Sequence, residues 1–295
     1  MADAIFEEPR LAEIYDELDP DRSDLDAYAS LASEFEAASV LDGGCGTGTL
    51  ACLLAGRGLK VIAVDPAAAC LDVARRKPGA DDVRWVHGNV TSLPPLQVDL
   101  VTMTANVAQV FVTGQEWAET LAAVRGALRP GGRLVFESRD PARKAWLDWT
   151  RDHTYRRVAI QGAGPIETWT DLTDVQGNLV SFRTSFMFGR DGAMLTSGST
   201  LRFRSRGELT GSLAAAGPTV EEIRDAPDRP GREFVYIARR EPTHTTGQHT
   251  TGVRDRKTRA TRTKRAGMMM RNQPAPTVTL GTAVTGVGAG RTEEA

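Results

Sequence analysis

An acid and three glycines at alternate positions, Asp42-Gly43-Gly44-Cys45-Gly46-Thr47-Gly48, are the residues whose types and spacing most directly suggest chemistry. Glycine has no Cβ, so Gly44, Gly46 and Gly48 can take positive φ and let a ligand lie against bare backbone. If a helix follows, its first N–H groups lack partners and face the same ligand. Such a turn is a nucleotide cradle or, more plainly, a turn that needs glycine only for close packing. Gly46-Thr47-Gly48-Thr49-Leu50-Ala51 also fits the dinucleotide fingerprint G-x-G-x-x-G/A, which keeps an NAD-dependent oxidoreductase open. Asp65 stands 21 positions after Gly44, a separation at which a carboxylate in a βαβ unit accepts from ribose hydroxyls. Its alternative use is as a helix N-cap for Pro66 onward.

The cradle works only between a strand and a helix, and the flanking pattern supplies both. Val40-Leu41 closes an apolar run suited to a buried strand, and Leu50 to Leu54 opens a helical one that ends at Gly58. Further strands are expected at 60–65, 83–90, 98–106 and 133–137. Between the last two, Trp117, Leu121, Val124 and Leu128 mark one helical face that Arg129-Pro130-Gly131-Gly132 stops. Two helices are expected over 9–37: Leu11, Ile14, Tyr15 and Leu18 repeat at helical spacing, as do Leu25, Tyr28, Ala29, Ala32 and Phe35. From about 165 to 205 the period changes to strict alternation, broken by Gln176-Gly177-Asn178 and Gly189-Arg190-Asp191-Gly192, which predicts an antiparallel meander. A helix near Leu209–Ala214 and strands at 219–224 and 233–239 follow.

D-x-G-x-G-x-G at Asp42–Gly48, with Leu128-Arg129-Pro130-Gly131-Gly132-Arg133-Leu134-Val135-Phe136, closely resembles the class I (Rossmann-like) S-adenosylmethionine-dependent methyltransferases of the small-molecule type. The markers cover roughly residues 10–140 in the family's order. The resemblance implies a doubly wound α/β sheet of seven strands, order 3-2-1-4-5-7-6 with the last strand antiparallel, and a meander inserted after strand five over the substrate mouth. It implies S-adenosylmethionine as cofactor and methyl transfer to a small-molecule acceptor. Asp42 with Gly44, Cys45, Gly46 and Gly48 would meet the amino-acid end of the cofactor, whose ammonium a carboxylate complements. Asp65 and Pro66 would meet the ribose, Asn89 and Val90 the adenine, and Tyr15 and Thr104 the methionine end. Asn89 departs from the acid usual at its position, though an amide oxygen can also accept from the adenine amine. Asn106 and Gln109, polar in an apolar region, are candidate substrate contacts, as are Trp169 and Arg183 on the meander. Should the acceptor need a base, His153, Tyr155 and Glu137 are the titratable groups to test. After strand four, Thr104-Ala105-Asn106-Val107-Ala108-Gln109 lacks the [D/N/S]-P-P-[Y/F/W] segment common where nucleobase amines are methylated, and no proline-cysteine pair offers a C5 nucleophile. A non-catalytic S-adenosylmethionine-binding regulator is a further alternative.

Composition bounds the rest. With 295 residues the chain can bury a sizeable core, and its formal net charge of −2 hides an asymmetry. Residues 241–295 hold nine basic and four acidic residues, leaving 27 and 34 in the first 240, so the body is −7 and the tail +5. The tail lacks hydrophobic periodicity and is expected to be disordered, with the methyltransferase domain ending at 240. A basic extension of this kind is more often solvated than bound to nucleic acid, which is not expected as a partner. Cys45, Cys52 and Cys70 make no metal-ligand spacing and leave one cysteine over in any disulfide scheme, so no metal is expected. The acidic start Met1–Glu8 and the absence of a long apolar run lead to the expectation of a cytoplasmic protein without a membrane partner.

Overall fold

The computed structural model describes residues 2–242, so the expectation for the 241–295 tail lies, from 243 on, outside the described residues. Two short helices, α1 (Ala4–Glu7) and α2 (Pro9–Leu18), precede α3 (Asp24–Glu34) and β1 (Ser39–Gly43). There follow α4 (Thr49–Gly56), β2 (Lys60–Asp65), α5 (Ala68–Ala74), β3 (Val83–His87), β4 (Val98–Met103), α6 (Gly114–Ala127) and β5 (Leu128–Arg139). Next come α7 (Arg151–Thr154), β6 (Arg156–Ile160), β7 (Gly164–Gln176), β8 (Leu179–Phe188) and β9 (Met194–Arg202). The described chain ends through α8 (Arg206–Ala216), β10 (Pro218–Asp225) and β11 (Glu233–Arg240).

The main sheet runs β3-β2-β1-β4-β5-β11-β10, and only β11 opposes its neighbours. This is the expected 3-2-1-4-5-7-6 order. Every residue of β1 is buried, as a central parallel strand covered on both faces requires. Val40, Leu100 and Val135 pack on one face against Leu25, Tyr28 and Leu54 of α3 and α4. Leu41, Val101 and Phe136 pack on the other against Trp117 and Leu121 of α6 and Leu213 of α8. Phe136 stacks on Tyr236 across β5 and β11, with ring centroids 4.9 Å apart. Fully burying one such large apolar side chain contributes about 1.5–3 kcal/mol.

The meander is a separate four-stranded antiparallel sheet, β6-β7-β8-β9, one strand larger than expected. In Arg156-Arg157-Val158-Ala159-Ile160 only Val158 and Ile160 carry the alternation, too short a signal to read in advance. One face of this sheet, through Ile160, Ile166, Phe186 and Phe188, packs on Leu11, Ile14 and Leu18 of α2. Helix α1 is tied to β9 by the Ile5 amide, which donates to Ser197 Oγ at 2.9 Å. The strand expected over 98–106 ends at Met103, because Ala105 and Asn106 turn into the left-handed region at φ +55° and +61°.

Candidate functional site

The three loop glycines have different jobs, a distinction that their spacing alone does not reveal. A Cβ on Gly44 would lie 2.7 Å from Val107 Cγ2, and one on Gly48 2.4 Å from the Trp85 ring. Both therefore let neighbouring side chains close in. Gly46, at φ +53°, would carry a Cβ that meets no atom within 4 Å. It is the position where backbone is bare for a ligand and not for packing. Gly44 also brings the loop against the segment after β4, joining the two halves of the site.

Much of the loop's donor capacity is already spent. The Gly44 and Cys45 amides donate to Val64 O at 2.8 and 3.2 Å, and the Gly48 amide donates to Cys45 O at 2.9 Å. The Gly46 amide donates to Asp65 Oδ2 at 2.8 Å, and Asp65 Oδ1 accepts from the Ala67 amide at 2.8 Å. Asp65 thus fastens the loop to β2 and still keeps lone pairs on both oxygens. Burial pushes its pKa up against these two donors. Asp42 is deeper: it accepts from the Thr102 hydroxyl at 2.7 Å, and burial, with the nearby Asp65 charge, pushes its pKa up to about 6. A cationic group brought to it would restore the carboxylate.

Helix α2 leans on this loop through a residue that sequence reasoning missed. Asp16 accepts from the Thr47 hydroxyl and pairs with Lys77 Nζ, each at 2.6 Å, and Lys77 also donates to the Thr49 hydroxyl at 2.6 Å. The signal was present, since Asp16 directly follows Tyr15. Tyr15 packs on Phe6 with centroids 5.5 Å apart, and burial raises its pKa. On the far side of the loop Pro66 is exposed, its carbonyl 2.9 Å from His87 Nε2. Val90 is half-buried, with its Cγ2 3.0 Å from where a Cβ on Gly43 would stand. Asn89 corrects an expectation. Its Oδ1 accepts from the Ser92 amide at 3.1 Å and the Thr91 hydroxyl at 2.6 Å, so both lone pairs serve its own turn instead of an adenine amine.

The second half of the site forms where β4, β5 and β11 end. Thr104 is buried at the tip of β4, and Asn106 caps a single 3-10 turn over Val107–Gln109. The Asn106 amide donates to Glu137 Oε1 at 3.0 Å, and the Tyr28 hydroxyl donates to Glu137 Oε2. Asn106 Nδ2 donates to Glu233 Oε2 at 3.0 Å, while Arg139 and Arg229 meet Glu233 Oε1 at 3.3 and 2.8 Å. Arg139 Nη1 donates to Gln109 Oε1 at 3.1 Å. Burial raises the Glu137 pKa; for Glu233, burial is outweighed by Arg139 and Arg229, which hold it below the usual range. Tyr28, Arg139 and Glu233 were not anticipated as site residues: the pairing of β11 with β5 sets Glu233 opposite Arg139, and Tyr28 reaches Glu137 from α3.

Three further expectations change. Glu137 is an engaged carboxylate, one oxygen accepting from Tyr28 and the other from the Asn106 backbone, so as a base it would have to use a remaining lone pair. His153 and Tyr155 are exposed on and beside α7 and take no part in this network. Trp169 and Arg183 do not look toward the body. The register pairs Ile166 with Phe188 and Thr168 with Phe186 on the face toward α2, and puts Trp169, Asp171, Arg183 and Ser185 on the other. There the Arg151 guanidinium covers the Trp169 ring at 4.2 Å.

With this geometry in view, residues 40–132 match the family model described as "Methyltransferase domain". Over 120 residues the chain is 37% identical to the cypemycin N-terminal methyltransferase of a Streptomyces species, covering 39% of this chain and 48% of that protein. The chain thus spans about half the length of the curated relative it matches. Among solved structures it is similar to an S-adenosylmethionine-dependent methyltransferase of Clostridium acetobutylicum, with TM-score 0.64, 17% identity, and coverage of 79% of this chain and 99% of that one. It is also similar to the sugar N-methyltransferase KedS8 of Streptoalloteichus, with TM-score 0.62, 17% identity, and coverage of 78% and 92%. At these identities the structural likeness is one of fold.

Proposed function

We propose that this chain, whose residues 40–132 match the methyltransferase-domain model, transfers a methyl group from S-adenosylmethionine to a small-molecule acceptor. The observation that carries the reading is Gly46, whose open left-handed backbone stands between the carboxylates of Asp42 and Asp65. Gly46 would lie under the cofactor, Asp42 would face its ammonium and Asp65 its ribose hydroxyls, with Tyr15 on the α2 side. When bound, the cofactor supplies a methyl already activated on a sulfonium sulfur. The protein is left to orient the acceptor and exclude water, an effect that can itself be worth about 7 kcal/mol or more. Asn106, Gln109 and Thr104 would serve that orientation. No sequence-nominated base faces them unengaged, which suits a nucleophile that reacts from its neutral form, such as an amine. KedS8 is named as a sugar N-methyltransferase, and the Streptomyces relative as a cypemycin N-terminal methyltransferase.

The loop's own bonds weaken the dinucleotide reading. A pyrophosphate needs free amide donors, and those of Gly44, Cys45, Gly46 and Gly48 are spent inside the protein, which leaves only the first amides of α4 to hold one. Calorimetric titration of the full chain with S-adenosylmethionine and with NAD tests this directly. Binding of the first at least a hundredfold tighter is expected, and the reverse order would overturn the reading. Transfer of a labelled methyl to a panel of amines, run on the same protein, separates an enzyme from a non-catalytic binder.

A further inference from the structure

From two amide side chains beside the cofactor loop we infer the chemistry by which the acceptor is recognised, an inference that rests on the methyltransferase reading above. Asn106, Glu233, Arg139 and Gln109 form a chain of bonds in which the ion pair sits between the two amides. A carboxylate only accepts and a guanidinium only donates, so the charges fix which end of each amide faces inward. Glu233 takes the NH₂ of Asn106; Arg139 takes the carbonyl of Gln109. Left over are Asn106 Oδ1 and Gln109 Nε2, which have no hydrogen-bond partner among the described residues although both side chains are at least 97% buried. Flipping either amide would set oxygen against carboxylate or NH₂ against guanidinium, so the leftover pair is one acceptor and one donor whatever the refinement of the network.

These two atoms belong to residues three apart in sequence, Asn106 capping a single 3-10 turn and Gln109 closing it. The turn is also held still. Its entry is fixed by Ala105 and Asn106 in the left-handed region and by the Glu137 carboxylate on the Asn106 amide. Its exit is held by the buried Arg204, which donates to Ala108 O at 3.0 Å and Thr113 O at 3.2 Å. Buried polar atoms are almost always satisfied in native proteins, so a rigid turn that leaves two of them unsatisfied is built for a group from outside. That group must donate and accept together. A carboxylate or phosphate would meet Gln109 Nε2 but repel Asn106 Oδ1; an ammonium would do the opposite. An uncharged hydroxyl or carboxamide serves both. The acceptor therefore carries such a group next to the atom that is methylated, and presents it to Asn106 and Gln109.

Four fragments that share a ring and differ only in head group test this: cyclohexanol, cyclohexanecarboxamide, cyclohexanecarboxylate and cyclohexylammonium. Their binding to the full chain is read by ligand-observed NMR, with and without S-adenosylhomocysteine, whose own binding is measured first by calorimetry. The alcohol or the amide should bind at least about tenfold more tightly than either ion, as expected when one hydrogen bond is replaced by a repulsion. Gln109→Glu keeps an oxygen for Arg139 and turns the free donor into an acceptor, so it should weaken the alcohol about tenfold and favour the ammonium. A carboxylate that binds best, no binding by either neutral fragment, or an unchanged ranking in folded Gln109→Glu would overturn the inference. The wild-type ranking decides alone if that variant does not fold. Failure of S-adenosylhomocysteine to bind would instead overturn the methyltransferase reading, and the fragment ranking on the free protein would still be read.

Discussion

The half of this site proposed for the cofactor and the half proposed for the acceptor are built on opposite plans. The first is local: the Asp42–Gly48 loop and Asp65 lie within one βαβ unit. The second is assembled across the chain, with Tyr28, Asn106, Glu137 and Glu233 drawn together over sequence separations of up to 127 residues. Local geometry leaves a trace in residue spacing; convergent geometry does not. The cofactor half can also spend its amides internally and leave one glycine bare, while the acceptor half buries two acids: Tyr28 and Asn106 satisfy Glu137, and Asn106 with the partly exposed Arg139 and Arg229 satisfies Glu233.

The sharpest way to break this contrast is to replace two glycines of the same loop. Gly46→Val adds a side chain that meets no protein atom, so the variant should fold, losing roughly 1–2 kcal/mol from its left-handed backbone, and lose S-adenosylmethionine binding altogether. Gly48→Val drives a side chain into Trp85 and Ala74 and should fail first in stability, seen as a lowered melting temperature. Equal loss of cofactor affinity in folded forms of both would show that the loop does not divide its labour.

The acceptor half should break differently. Tyr28→Phe removes the hydroxyl from Glu137 without opening a cavity, and a buried carboxylate that loses a donor costs about 1–3 kcal/mol. The urea midpoint should fall while cofactor affinity stays within about twofold, because the Tyr28 hydroxyl bonds Glu137 and no loop residue. A loss of cofactor affinity would mean that the two halves are one coupled unit.

Legibility followed the same division. The strands of the main sheet, the loop and Asp65 could be read in advance because apolar runs and glycine spacing are local signals, and the order of the sheet came only with the family resemblance that those signals carried. The meander's face could not be read: Trp169 and Ile166 both sit in an alternating strand, and alternation shows that two faces exist without saying which one meets α2. Arg139 and Glu233 had no signal at all. Each is a charged residue at a strand end, and only the antiparallel register of β11 on β5 turns them into a pair. Asn89 misled for another reason, since a short polar side chain can satisfy its own turn as readily as a ligand.

Protonation sharpens the cofactor side. With a folded pKa of about 6 against an ordinary value of 3.8, Asp42 contributes stability to the free protein that is full below pH 4 and lost as pH rises through 6. Binding of a cation runs the other way, because it needs the carboxylate. Cofactor affinity should therefore hold above pH 7 and fall by up to about tenfold per unit below pH 6, and Asp42→Asn should be weak and flat across that range. Calorimetry at pH 5, 6 and 7.5 reads this, and a wild-type profile as flat as that of the variant would remove Asp42 from the cofactor's amino-acid end.

The smallest effect is expected where the first reading of the meander placed a substrate contact. Arg183 is exposed, lies opposite Asp171 in the register and shares the face that turns away from α2. An exposed ion pair contributes about 1 kcal/mol or less, and replacement of an exposed residue outside any site usually changes stability by less than about 0.5 kcal/mol. Arg183→Ala should leave the melting temperature, S-adenosylmethionine affinity and the rate of methyl transfer to any acceptor that the labelled panel identifies within twofold of wild type. Gln109→Glu, on the other side of the body, should change acceptor binding while sparing the cofactor. If Arg183→Ala altered transfer with the cofactor affinity intact, the outer face of the meander would belong to the acceptor site. The division between a local cofactor half and a convergent acceptor half would then have to include a second sheet.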